Sequence, residues 1–125
     1  MAFITDYVLD AALSKLDTEA NRLYITSQEA TSYVAATSTY ALGVKTGLTV
    51  SAPTDRVPNG RKVTVAQFSD GTVTATGTAT HYAIVDTINS RLLATGSLAQ
   101  PQVVTNGNIF SLADMDIGIA DATSV

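Results

Sequence analysis

His81 is the only histidine of this chain. Asp114, Asp116 and Asp121 are its C-terminal acidic group. Chemistry would be sought first in these four side chains. An imidazole works as a general base only beside a nucleophile and an orienting partner. Ser90 and Asp86 are near His81 in sequence, but nearness along a strand does not make a triad. On an alternating strand His81 shares a face with Ala79, Ala83 and Val85, while Thr80, Tyr82 and Ile84 take the other. That is the setting of a packed or hydrogen-bonded histidine. Asp114 and Asp116 would share a strand face, where a hard cation such as calcium is conceivable. They lack calcium-loop spacing, so a charged outer face that discourages edge pairing is expected instead.

Other chemistries lack their residues. The chain has no cysteine, which excludes disulfides and thiolate metal sites. Its eight glycines form neither a phosphate loop nor a dinucleotide fingerprint. No carboxylate pair stands at apolar positions, as a glycosidase would need. The expectation is a protein that is not an enzyme, with no cofactor and no metal.

The elements that carry these residues can be read from periodicity. Residues 5–16 have helical period, with Val8, Leu9, Ala12, Leu13 and Leu16 on one face. Thr5 or Asp6 can cap this helix, and Lys15 suits its last turn. Residues 21–26 read as a strand with Leu23 and Ile25 on one face. Residues 27–36 read as a loop with a helical turn, 37–43 as irregular, and 44–51 as a strand containing Gly47. Residues 52–60 hold two prolines and an Asn-Gly, which marks an exposed loop. A strand over 61–68 leads to Ser69-Asp70-Gly71, a strong hairpin signal, and 72–76 returns from it. Gly77 permits a bulge or bend. Further strands follow at 79–86 and 91–97, with a turn at 87–90. Pro101 breaks the pattern, Asn106-Gly107 turns the chain, and 108–119 closes it. Short antiparallel strands at this spacing predict a mainly β fold, a sandwich or small barrel, with one N-terminal α-helix. One domain is expected over 1–125, with helix and arm in 1–20 and the β-rich part in 21–125.

Composition narrows the partners. Charged residues are only 14% of the 125, against about 25% in typical soluble domains. Interfaces deplete charge, so a surface rich in Thr and Ser suits permanent contact with other subunits. The net charge is −4, and the seven Lys and Arg are scattered. No basic patch forms, which argues against nucleic acid. The first fifteen residues carry Asp6 and Asp10 in their apolar stretch, unlike a signal peptide or membrane span. Tyr33 and Tyr40 flank a charge-poor segment, and tyrosine gives large contact area at low entropy cost.

The order of segments resembles a group of small proteins of tailed bacteriophages and prophages. The residues that carry the likeness are the DAAL helix, LYITSQEATSYVAATSTYALG, GRKVTV, DGTVTATGTATHYAIVD, LLATGSL, NGNIFSL and DIGI. The resemblance implies a structural protein of the virion. A capsid decoration or cement protein bound to the major capsid protein is the first expectation, with Phe3, Ile4, Tyr7, Tyr33 and Tyr40 as contacts. A homo-oligomer, such as a trimer on a three-fold capsid site, would suit that role. The alternative is a tail, neck or fibre protein whose 52–60 loop meets a host receptor.

Overall fold

The computed structural model describes residues 4–120, so Phe3 and Asp121 lie outside the described residues. It begins with helix α1, Asp6–Glu19, which ends three residues beyond the end the periodicity predicts. Thr5 stands at the N-cap in extended conformation, and its carbonyl accepts from Val8 and Leu9. Its side chain makes no capping hydrogen bond. Leu9, Leu13 and Leu16 are buried, but Val8 and Ala12 are exposed. Each of those two precedes a buried leucine by one residue, which turns it about 100° around the axis.

Two antiparallel sheets follow. The larger has six strands in the order β7-β6-β1-β2-β5-β8 and curls into a half-barrel. These strands are β1 Arg22–Thr26, β2 Ala41–Thr46, β5 Phe68–Val73, β6 Gly77–Asp86, β7 Arg91–Val104 and β8 Ile109–Leu112. The smaller sheet is β3-β4-β9: Thr54–Asp55, Arg61–Val65 and Met115–Ile119. The expected mainly β sandwich or barrel with one N-terminal helix is therefore what the chain forms. The core joins both sheets and the helix. Leu23, Ile25 and Ile84 of the larger sheet meet Val63 and Val65 of the smaller one, with Leu13 and Leu16 of α1.

Several expectations need correction. Asp70-Gly71 is not a hairpin turn. It lies within β5, which pairs with β2 and β8, while β4 belongs to the other sheet. Ala66 and Gln67 carry the chain between the sheets: the Ala66 N–H donates to the Thr49 carbonyl and the Gln67 N–H to Asp114 Oδ1. Gly71 is required by packing, since a Cβ there would sit 2.5 Å from the Phe110 ring. Asp70 reaches Lys45 of β2 at 2.9 Å. Pro101 does not end its strand. β7 is an edge strand and runs through it, and the pairing with β6 skips from Ser97 to Gln102. Proline is tolerated on an edge and at a bulge because neither needs its missing N–H.

The same irregularity reorders the faces of β6. The ladder shifts between Ala79 and His81, so Ala79 packs with Tyr82 and Ile84 in the main core. Ala83 and Val85 face a second, smaller cluster. Residues 44–51 are not one strand: β2 starts at Ala41 and ends at Thr46, and Val50 makes only an isolated bridge to Val65. Residues 37–43 hold the end of a π-helical turn, Ala35–Thr39, and the start of β2. Residues 108–119 form two strands in different sheets.

The 87–90 turn is held by Asp86, whose buried carboxylate accepts from the Asn89 amide at 2.8 Å and from the Ile88 N–H at 2.9 Å. The Asn89 amide first, then those backbone N–H groups and Arg91, hold this carboxyl below the usual carboxylate range. A folded-state pKa below the unfolded one stabilises the fold above the unfolded pKa, and the gain is lost as pH falls through the folded pKa. Urea midpoints should therefore hold steady above about pH 5 and fall below about pH 4, where free aspartates titrate. Asp86→Asn should be less stable at neutral pH and show a shallower acid limb. An unchanged limb would show that Asp86 is not a source of the acid sensitivity.

Candidate protein-contact surface

The inner face of α1 is pinned to β4 by leucines and by one arginine. Arg61 Nε donates to Asp10 Oδ1 at 2.8 Å, and a second guanidinium nitrogen meets Asp10 Oδ2 at 3.2 Å. The same guanidinium reaches Asp55 and the Pro53 carbonyl. The Asp10 contact, more than the Asp55 one, keeps Arg61 protonated well above its ordinary range. Arg61 thus ties the helix, the 52–60 loop and β4 together.

That docking turns a second apolar stripe outward. Ile4 precedes the N-cap Thr5, and within α1 Tyr7, Val8 and Ala11 recur at i, i+1 and i+4. At about 100° per residue they span an arc of roughly 100°, opposite Leu9, Leu13 and Leu16. Tyr7 is 84% exposed, Val8 53% and Ile4 40%. A helix that is apolar on opposite faces is a helix covered on both sides. The protein itself covers only one of them.

The expected contact residues divide. Tyr7 stands on the outward stripe, and Ile4 is exposed just ahead of the helix. Tyr33 and Tyr40 are half-buried and pack, with Tyr24, against the cluster of Ala30, Ala36, Ala83 and Val85. Their segment is folded by its own backbone: the Tyr40 N–H donates to the Ala35 carbonyl at 2.9 Å, closing the π-helical turn. The Ala35 N–H in turn donates to Ser32 Oγ. These two tyrosines wall a satellite core, and Val34 between them is the exposed apolar side chain, at 63%. Val8 stands on the outward face, where the sequence reading had placed it inward with the leucines. Its i+3 spacing to Ala11 was the available signal.

His81 has a structural setting. Thr80 Oγ1 donates to the Ser27 carbonyl at 2.9 Å and lies 2.8 Å from His81 Nδ1. The hydroxyl has one proton, so Nδ1 supplies the hydrogen for the second contact. His81 and Asp86 are five residues apart on one strand, about 16 Å, far beyond hydrogen-bond reach. Asp114 accepts from the Gln67 N–H. Asp116 accepts from Thr64 Oγ1 at 2.7 Å and Lys62 Nζ at 3.0 Å, and Thr64 first, then Lys62, lowers its pKa. The two aspartates are thus spent on separate backbone and cross-strand contacts. Among the described residues, no group of three or more His, Asp or Glu side chains is placed to hold a metal ion. Among the same residues, no helix is long and apolar enough to cross a membrane.

No protein-family model matches this chain, and no curated protein or solved structure is significantly similar to it.

Proposed function

We propose that this chain is a structural subunit of a tailed-phage particle, a decoration or cement protein that binds the major capsid protein through the outward face of α1. One observation carries the contact: Tyr7, Val8 and Ala11 form an uncovered apolar stripe on α1, whose other face is docked through Leu9, Leu13 and Leu16. The resemblance of the chain to small virion proteins supports the setting. The low charge content supports a surface made for lasting contact, because few ions need desolvation. A repeating lattice would sum many modest contacts into firm attachment.

Copy number tests the setting. A count near that of the major capsid protein supports decoration, whereas about a dozen copies or fewer per particle would point to neck or tail and end the capsid reading. The contact is tested by Tyr7→Ala combined with Val8→Asp. Truncating an aromatic anchor and placing a charge beside it should weaken binding to particles ~10-fold or more. The reference is Ile88→Ala, an exposed residue at 84% on the β6–β7 turn, which should bind as the parent does. Equal binding by both variants would remove α1 from the interface.

A further inference from the structure

The outer face of the smaller sheet carries two cations around one hollow. The register pairs Lys62 with Gly118 and Thr64 with Asp116 across β4 and β9. These four face outward, because Val63 and Ile117 between them pack in the core. Arg56 reaches over them from the loop after β3. Its stem lies on Gly118, where a Cβ would sit 2.8 Å from Arg56 Cδ. Its backbone N–H donates to the Gly60 carbonyl at 2.9 Å, and its Nη1 to the Asn59 carbonyl at 3.0 Å. The loop and the glycine thus fix the guanidinium in advance. Arg56, Val57, Lys62, Asp116 and Gly118 line a hollow of about 270 Å³. Among the described residues, Lys15, Lys45, Arg61, Lys62 and Arg91 have carboxylate partners, whereas Arg22 and Arg56 have none. Of those two, Arg56 is the one held against this hollow.

We propose that this hollow binds an acidic sugar residue, held by its carboxylate and its hydroxyls. The unused hydrogen-bonding groups set the chemistry. A guanidinium has five N–H donors, and Arg56 gives one to Asn59. An ammonium has three, and Lys62 gives one to Asp116 at 3.0 Å. Spare donors therefore face the hollow from two sides, and its ligand must be rich in acceptors. Asp116 accepts from Lys62 and Thr64 on different oxygens, and each oxygen keeps a second lone pair for a ligand hydroxyl. An anion with hydroxyl donors beside it is the pattern of a sugar acid. Its carboxylate would take the Arg56 fork in two parallel bonds. Its hydroxyls would bridge Lys62 and Asp116.

Size and charge agree with that ligand. A cavity of about 150 Å³ holds a benzene ring, so this one has room for a six-membered ring with its substituents. Val57, 89% exposed at the rim, offers apolar surface to the C–H face of such a ring. Arg56 and Lys62 outweigh Asp116, which makes the hollow positive in a chain of net charge −4. An anionic ligand offsets that local excess. α1 packs on the opposite face of this sheet, where Leu13 and Leu16 join the cluster of Val63 and Val65. A chain attached through α1 would keep the hollow open to solvent. The sugar site therefore does not depend on the capsid reading.

Amide NMR titration of the full chain with glucuronate, galacturonate and N-acetylneuraminate tests the site, with glucose and inorganic phosphate as references. At least one of the three acids should bind ~10-fold or more tighter than both references, since glucose lacks the charge and phosphate lacks the ring. Arg56→Gln should weaken that acid ~10-fold or more, the usual loss when a charge-assisted bond goes. Gly118→Ala should weaken it as well, because the new Cβ displaces the flexible Arg56 stem while β9 keeps its place. Both variants should retain the parent's amide spectrum away from the hollow, and Ile88→Ala should bind as the parent does. A methyl glycoside of the best acid that binds equally well places the residue on a glycan, and one that binds ~10-fold worse makes the ligand a free sugar acid. Three acids that bind no tighter than glucose would overturn the proposal, as would full affinity in Arg56→Gln. Phosphate as tight as the best acid would also overturn it, leaving a simple anion site. Particle binding through Tyr7 and Val8 is measured separately, so either reading can fail alone.

Discussion

Leu23→Ala should lower the free energy of unfolding by about 2–5 kcal/mol, the usual range for a leucine truncated in a core that cannot collapse. Leu23 is 0% exposed at the centre of β1. Its neighbours across the ladder are Ile84 on β6 and Lys45 on β2. It points into the cluster that holds the larger sheet, the smaller sheet and α1 together. Strands on both sides hold β1 in place, so the backbone cannot move inward to fill the void. Total stability for a domain of this size is about 5–15 kcal/mol, so the loss is a large share of it. Urea denaturation reads it as a lower midpoint at unchanged slope. Ile88→Ala, which removes an exposed side chain, should stay within about 0.5 kcal/mol of the parent. A loss under about 1 kcal/mol at Leu23, below the usual range, would mean that the core is loose enough to refill.

Gly60→Ala should cost at least about 2 kcal/mol, for two reasons that add. The φ of Gly60 is +92°, a conformation that L-residues avoid. A Cβ there would also lie 2.0 Å from the Ile119 carbonyl oxygen and 2.8 Å from Ala120 Cα. Both atoms are backbone at the end of β9, so relief requires moving the strand that pairs with β4. Gly47 separates the two terms. Its φ is +65°, but nothing lies within 4 Å of the position of an added Cβ. Gly47→Ala should therefore cost only the conformational part, about 1–2 kcal/mol. Equal midpoints for the two variants would show that the close approach at Gly60 relaxes freely.

The hydrophobic pattern was legible where it was strictly local. Leu23 and Ile25 alternate in β1, and Leu9, Leu13 and Leu16 recur along α1, and all are buried. The Asn59-Gly60 and Asn106-Gly107 turns were also legible, because positive φ selects glycine whatever surrounds it. Asp70-Gly71 misled for the converse reason. Its glycine meets a need for space under Phe110, and a composition rule cannot tell that from a need for positive φ. The half-burial of Tyr33 and Tyr40 was not legible, because exposure of a tyrosine depends on the surface that folds beneath it. Here that surface is Ala83 and Val85, more than forty positions away in the chain.

By itself the sequence determined the class of the fold, the single helix and its buried leucines, and a surface poor in charge. Those follow from periodicity and composition, which act within a few residues. Only the tertiary structure decided which strands share a sheet, which way α1 turns Tyr7 and Val8, and that Arg56, Lys62 and Asp116 line one hollow. Those outcomes depend on contacts between distant segments. Strand pairing is set by how whole faces bury together, and an alternating strand carries no mark of its partner. The first candidates for chemistry, His81, Asp114 and Asp116, are hydrogen-bonded into the scaffold, and the outward apolar stripe of α1 is made of residues that carry no charge.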